Sequence, residues 1–450
     1  MRANATDMTS GNVLGHILRF TVPLLIGNLF QQLYNMVDSL VVGNYVGERA
    51  LAAVGTCSSM NFLFFSLCGG LSVGIGIIVA QFFGAKDEQR VRVTIANSYL
   101  VLSASGLLVS VLGILLAPAL LRMLQTPDHI IHDSVIYMQT TSCGIVAIAL
   151  YNGIAAIMRA LGDSKTPLYF LIFSSVVNVA LDLTFVLFFQ WGVFGVALAT
   201  IIAQYASAFI CYLYARRKIS YFQLTREELR PNRVIIEQSF RLGIPVAFQN
   251  SMIAVSMMVL QGVVNSFGET VMAAYTVVSR VEQIVHQPFT SLGTAVTNFS
   301  GQNIGANQIE RVRKGFRLST LVVLLFSIVM VPVAFLLGSQ IVGCFVDDPE
   351  VIRLGATALR ISSLCYFGLG MIYVPRSVLN GCGDTAFSMI NGVTEVACRI
   401  IYSNVFTRIP VISYWGIWIT TGFTWVTTAV ICLLRYRKGS WKYKRVVGGR

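Results

Sequence analysis

Two stretches decide the fold when one is laid over the other: "AQFFGAKDEQRVR" at 80–92 and "GQNIGANQIERVR" at 301–313. They align at an offset of 221 with Gln81 over Gln302, Gly84 over Gly305, Ala85 over Ala306, and Arg90-Val91-Arg92 over Arg311-Val312-Arg313. The same offset lays "GERALAAV" at Gly47 over "GETVMAAY" at Gly268, and Gly162-Asp163 over Gly383-Asp384. At an offset of 222, Arg19, Pro23 and Asn28 meet Arg241, Pro245 and Asn250. The chain is a duplication of one unit.

What each unit is made of follows from composition. The 450 residues are 55% hydrophobic and 12% charged, with a mean hydropathy of +0.70. A soluble chain of this length carries roughly a quarter charged residues, so the missing polar surface faces lipid, and disorder is excluded by the same figures. Apolar runs between polar breaks fall at about 15–41, 50–83, 93–118, 134–158, 167–189, 192–215, 239–266, 270–300, 316–337, 354–375, 385–407 and 414–434. The expected fold is an all-α integral membrane protein with twelve transmembrane helices in two six-helix lobes. Residues 1–218 form the N-lobe, 219–236 a hydrophilic cytoplasmic linker, and 237–450 the C-lobe with a basic cytoplasmic tail. An even number of spans per unit makes the repeats parallel, a transporter architecture that places the binding site between lobes.

The excess of 33 Lys and Arg over 20 Asp and Glu reads as topology, not as a nucleic-acid footprint. With both termini cytoplasmic, 25 basic residues fall on the inner side, from Arg2 and Lys86 to the tail ending at Arg450. Outer loops hold only Arg49, Arg122, Arg353 and Arg408, which fixes the orientation by the positive-inside rule. The opening "MRANATDMTSGN" has no apolar segment of the secretory kind, so a multi-pass protein of the plasma membrane is expected. The nine cysteines are scattered without a CxxC and read as small hydrophobes. With no HExxH and no GxSxG, an intramembrane enzyme is not expected.

An ionisable group inside a span costs about 2.5–3.5 kcal/mol on insertion scales and asks for a partner or a purpose. Asp38, Asp182, Glu282 and Glu395 are such groups. From the helical rise, Asp38 lies roughly 8 Å deep, Asp182 roughly 12 Å and Thr200 roughly 13 Å. Asn178 is four residues before Asp182 and shares its helix face. Asp38, Asn178, Asp182 and Thr200 together supply the oxygen ligands a hard cation prefers. Two carboxylates in a low dielectric repel, so the pair needs a shared proton or a cation. The plain alternative is a packing hydrogen bond at Asp182 and an interfacial Asp38. The positions equivalent to Asp38, Asn178 and Asp182 in the second unit are Leu260, Arg399 and Ser403, so the acidic cluster belongs to the first unit alone. There, Arg280, Glu282, Glu395 and Arg399 read as a C-lobe polar network, neutralised or contacting substrate. Pro23 and Pro245 are helix-bending candidates, with a first-turn proline as the bland reading, and His286 reads as a core histidine.

"PLLIGNLFQQLYNMVDSLVVGNYVG" at Pro23, "RALGDSKTP" at Arg159 and "GQNIGANQIERVR" at Gly301 together resemble the multidrug and toxic compound extrusion (MATE) family across nearly the whole chain. That resemblance implies two six-helix lobes open as a V and efflux of organic cations or amphipathic compounds by proton or sodium antiport; a functional monomer without a cofactor is expected. It carries the family's N-lobe cation site onto Asp38, Asn178, Asp182 and Thr200, and its first-helix proline onto Pro23. Coupling acids of the family's C-lobe type are missing, since Gln249 and Asn250 stand on the seventh span and no acid occurs between Glu350 and Asp384. The competing function is a flippase for a lipid-linked oligosaccharide or lipid, for which Arg280, Arg360 and Arg399 would supply cations.

Overall fold

The structure, a computed structural model, describes residues 6–447. Fourteen α-helices run along these residues: α1 (Val13–Val41), α2 (Glu48–Gly84), α3 (Glu88–Met123), α4 (Asp128–Cys143), α5 (Ile145–Ala160), α6 (Lys165–Leu183), α7 (Gly192–Lys218), α8 (Arg233–Asn265), α9 (Glu269–Gly305), α10 (Ile309–Gly343), α11 (Pro349–Ser363), α12 (Tyr366–Gly381), α13 (Ala386–Phe406) and α14 (Gly416–Lys438). Arg2 and Arg450, counted with the inner basic residues, lie outside the described residues. Helices are the expected solution, because hydrocarbon offers no partner to a backbone amide and a helix satisfies its own. Among the described residues, eight helices are long and apolar enough to cross a membrane by themselves. Two further spans are bent pairs, α4 with α5 at 44° and α11 with α12 at 47°. The remaining two of the twelve are α9 and α13, whose polarity comes from Arg280, Glu282 and His286 on one and Glu395 and Arg399 on the other.

Duplication is written into the backbone. Lys86 and Asn307, equivalent in the repeat, both take a left-handed conformation at φ 58° and 59° after α2 and α9. Gly162 and Gly383 do the same at φ 90° and 92°. The two bends fall at equivalent places, Gly144 and Cys365. Neighbours repeat as well: α2 packs on α5 as α9 does on α12, α4 on α7 as α11 on α14, and α6 on α7 as α13 on α14.

The chain forms two compact units, one of Met1–Asp7 with Val22–Ala247 and the other of Met8–Thr21 with Phe248–Arg450. Within the first, the hydrophilic stretch after α7 is tied down: Arg92 Nη1 donates to the Gln223 carbonyl at 2.9 Å, and the Asn232 amide donates to Asn97 Oδ1 at 2.8 Å. The start of α8 then packs on α2 so closely that a Cβ on Gly74 would lie 2.6 Å from the Gly243 nitrogen. In the second unit, Arg311 grips the segment before α1 through the carbonyls of Met8 at 2.8 Å, Gly11 at 3.0 Å and Ser10 at 3.1 Å. The matched RVR motifs therefore serve as clamps on the polar ends of the helices. Both α1 and α8 continue helically through Pro23 and Pro245.

Candidate functional site

In the first unit, α1 carries Asp38, α6 carries Asn178 and Asp182, and α7 carries Thr200. The structure brings all four together. The carboxyl groups of Asp38 and Asp182 face one another within hydrogen-bonding reach. Asp182 is fully buried, Asn178 is 2% exposed, and Asp38 is half-buried. Neither oxygen of Asp182 nor Oδ1 of Asp38 has a hydrogen-bond partner among the described residues. Asn178 Nδ2 donates to Thr200 Oγ1 at 3.4 Å, and Thr200 Oγ1 donates back to the Val196 carbonyl at 3.1 Å. An unsatisfied buried carboxylate costs more than a hydrogen bond returns. Two carboxyl groups facing each other in a low dielectric repel unless one is protonated or a cation lies between them.

Two residues absent from the sequence reading complete the group. Tyr34, one turn before Asp38 on α1, donates its hydroxyl to Asn178 Oδ1. Tyr137 on α4 is buried within electrostatic reach of both carboxylates. The four-residue spacing in "YNMVD" was the signal for Tyr34. For Tyr137 there was none, since its neighbours on α4 are ordinary core residues. Both α1 and α6 pass directly beyond the acids into π-helical turns, Val42–Val46 and Thr184–Phe188, which touch each other. Such turns arise where a helix is re-aimed, often at a site.

The second unit holds a different arrangement. A cavity of about 280 Å³ is lined by Tyr275, Glu282 and His286 of α9, Glu395 and Arg399 of α13, and Trp418 of α14, among others. Arg399 Nη2 lies 3.7 Å from Glu395 Oε1, with both side chains buried. Glu282 Oε1 and Arg399 Nε have no hydrogen-bond partner among the described residues. His286 sits edge-on to Trp425 at 5.6 Å and to Tyr373 at 6.4 Å, as part of the cavity wall. Arg280 does not join this group. It is exposed, since a residue two places from Glu282 on a helix points nearly the opposite way. Arg360 lies elsewhere, over the Phe335 ring at 5.9 Å, so the three arginines considered for a flippase form no cluster. The counterpart of Asp38, Leu260, is 1% exposed in an apolar cluster with Val264, Val278 and Trp418, where a carboxylate would have no partner.

Of the nine cysteines, six are buried and all are free thiols. Among the described residues no cluster of three or more His, Cys, Asp or Glu side chains could hold a metal.

Comparison with known proteins follows the same division into halves. The sequence profile of the MatE family matches residues 23–184 and again 245–405. The chain is 30% identical over 447 residues to the probable multidrug resistance protein YpnP of Bacillus subtilis, covering 97% of this chain and 98% of that one. It is 27% identical over 439 residues to the probable multidrug resistance protein YoeA of the same organism, covering 95% and 94%. Among solved structures, an outward-facing multidrug resistance MATE family transporter superposes with a TM-score of 0.91 at 21% identity, covering 98% of this chain and 99% of the other. That likeness establishes the fold.

Proposed function

We propose that this chain, which belongs to the multidrug and toxic compound extrusion (MATE) family, exports amphipathic or cationic small molecules in exchange for protons or sodium ions. The family is one of membrane transport proteins, and two probable multidrug resistance proteins of Bacillus subtilis align over nearly the full length of this chain. The observation that carries the coupled mechanism is the buried pair Asp38 and Asp182, facing each other without other donors on Asp182. Such a pair holds a proton or a cation in one state and releases it when the lobes rearrange, so charge uptake and substrate release are linked. Asn178, Thr200 and the tyrosine hydroxyls of Tyr34 and Tyr137 are the remaining oxygen donors for the ion. Pro23 on the same helix as Asp38 is the point at which α1 would flex. The exchange needs no cofactor and no bond is made or broken, so the chain is a carrier and not an enzyme. It acts as a monomer in the plasma membrane with both termini cytoplasmic.

The test is dye efflux from proteoliposomes under separately imposed sodium and proton gradients, comparing wild type with Asp38→Asn. The variant should insert and fold, and lose the gradient response at least tenfold, because an amide neither exchanges a proton nor balances a cation. Wild-type ion-driven efflux from well-folded Asp38→Asn would refute the assignment.

A further inference from the structure

Among the described basic residues at the end of α14, some are held by partners and others face a pocket, while Lys438 does neither. Arg435 donates to the buried Asp384 at 2.9 and 3.1 Å, Lys444 lies 3.3 Å from the same carboxylate, and Arg445 donates to Asn307 at 2.9 Å. These contacts pin the chain after the helix, and Gly439 in a left-handed conformation turns it back. Arg437 and Lys442 have no acidic partner among the described residues, nor does Arg317 of α10. All three converge, with Arg313, on a pocket of about 220 Å³. Arg313 itself is paired with Glu310. The pocket wall is aromatic: Phe316 stacks on Tyr436 at 4.0 Å, and Tyr436 on the buried Trp441 at 5.5 Å. Trp441 is held by Nε1 donating to the Tyr436 carbonyl at 3.0 Å.

Its level in the membrane follows from the sequence. Arg317 is the last charge before the apolar run of α10, and Arg435 the first after that of α14. The pocket therefore lies at the boundary where headgroups sit and where Trp and Tyr collect. The first unit is an internal control. At an offset of 221, Arg313 and Arg437 correspond to Arg92 and Arg216, but Arg317, Phe316, Tyr436 and Trp441 correspond to Ala96, Ile95, Ala215 and Ser220. Arg92 is moreover committed to the Gln223 carbonyl. Unpaired cations on an aromatic wall are thus a property of the second unit and not of every basic loop.

We propose that this pocket binds the phosphate-bearing headgroup of an anionic phospholipid, the phosphate engaging Arg317, Arg437 and Lys442 and the glycerol lying against Tyr436 and Trp441. Basic pockets between helices at a membrane boundary recognise such headgroups, and each Lys or Arg near an anionic surface strengthens binding about fivefold. Native mass spectrometry and thermal-shift titration of the full chain, with phosphatidylglycerol against phosphatidylcholine of the same acyl length, test it. Wild type should retain phosphatidylglycerol selectively. Arg437→Gln with Lys442→Gln should weaken retention roughly 25-fold, whereas Arg216→Gln with Arg217→Gln in the first unit should leave it unchanged. Should the double variant misfold, Arg317→Gln removes one exposed charge and should weaken binding about fivefold. Equal losses in both double variants would mean diffuse surface charge and overturn the site. Binding of inorganic phosphate as strongly as of the lipid would make it a free-anion site and overturn the lipid assignment, as would unchanged lipid binding in the folded variants.

Discussion

Removing Glu395 exposes how the second unit carries charge without the acidic pair of the first. Glu395 and Arg399 sit 3.7 Å apart, 7% and 4% exposed, on one face of α13. At that separation two unit charges attract by about 4 kcal/mol at an effective dielectric constant of 20. Glu395→Gln leaves Arg399 buried with its Nε already unsatisfied, and stranding a buried charge costs about 3–5 kcal/mol. Glu282 shares the cavity and can take over part of the pairing, which puts the expected loss near the lower end. On the scale of folded units of about 200 residues, roughly 2–4 °C per kcal/mol, the melting temperature should fall by at least about 6 °C. Glu395→Gln with Arg399→Gln should recover most of that, because both charges leave together and the amides still hydrogen-bond. The assay is a double-mutant cycle by thermal denaturation in detergent, with ion-driven efflux measured on the same preparations. A coupling energy near zero, with the two single losses adding, would refute the ion-pair reasoning. Loss of all sodium and proton response in a normally folded Glu395→Gln protein would refute the placement of coupling in the first unit.

Tyr34→Phe keeps the ring but removes the hydroxyl donated to Asn178, so the apparent affinity for the coupling ion should fall about three- to tenfold in the efflux assay, with expression unchanged. Gly74→Ala places a methyl group 2.6 Å from the Gly243 nitrogen and should destabilise by about 1–3 kcal/mol, read as a lowered melting temperature; Gly55→Ala, whose Cβ meets nothing within 4 Å, is the control. Lys86→Cys and Arg313→Cys, with the exposed Cys143 and Cys344 replaced, should both be labelled by an impermeant thiol reagent only from the cytoplasmic side. Labelling of one from outside would contradict parallel repeats.

Linear information was enough for class and duplication, and it gave an expected depth for the charged groups. The cost of charge in hydrocarbon makes every apolar run a span, an offset of 221 makes two units of one, and a rise of about 1.5 Å per residue turns position into depth, so Asp38, Asp182 and Thr200 were already level. Azimuth was not available from the sequence, because residues facing lipid and residues facing the core are equally apolar and a membrane helix shows no hydrophobic stripe to orient it. Only packing decided that the two carboxylates look at each other, that Tyr137 arrives beside them from α4, and that Arg280 turns away from the cavity its neighbour Glu282 lines. The same holds at the end of α14, where composition shows a run of equivalent cations. Tertiary contacts commit Arg435, Lys444 and Arg445 to partners and leave Arg437 and Lys442 to the pocket, since a long flexible side chain takes its role from whatever acceptor the fold brings within reach.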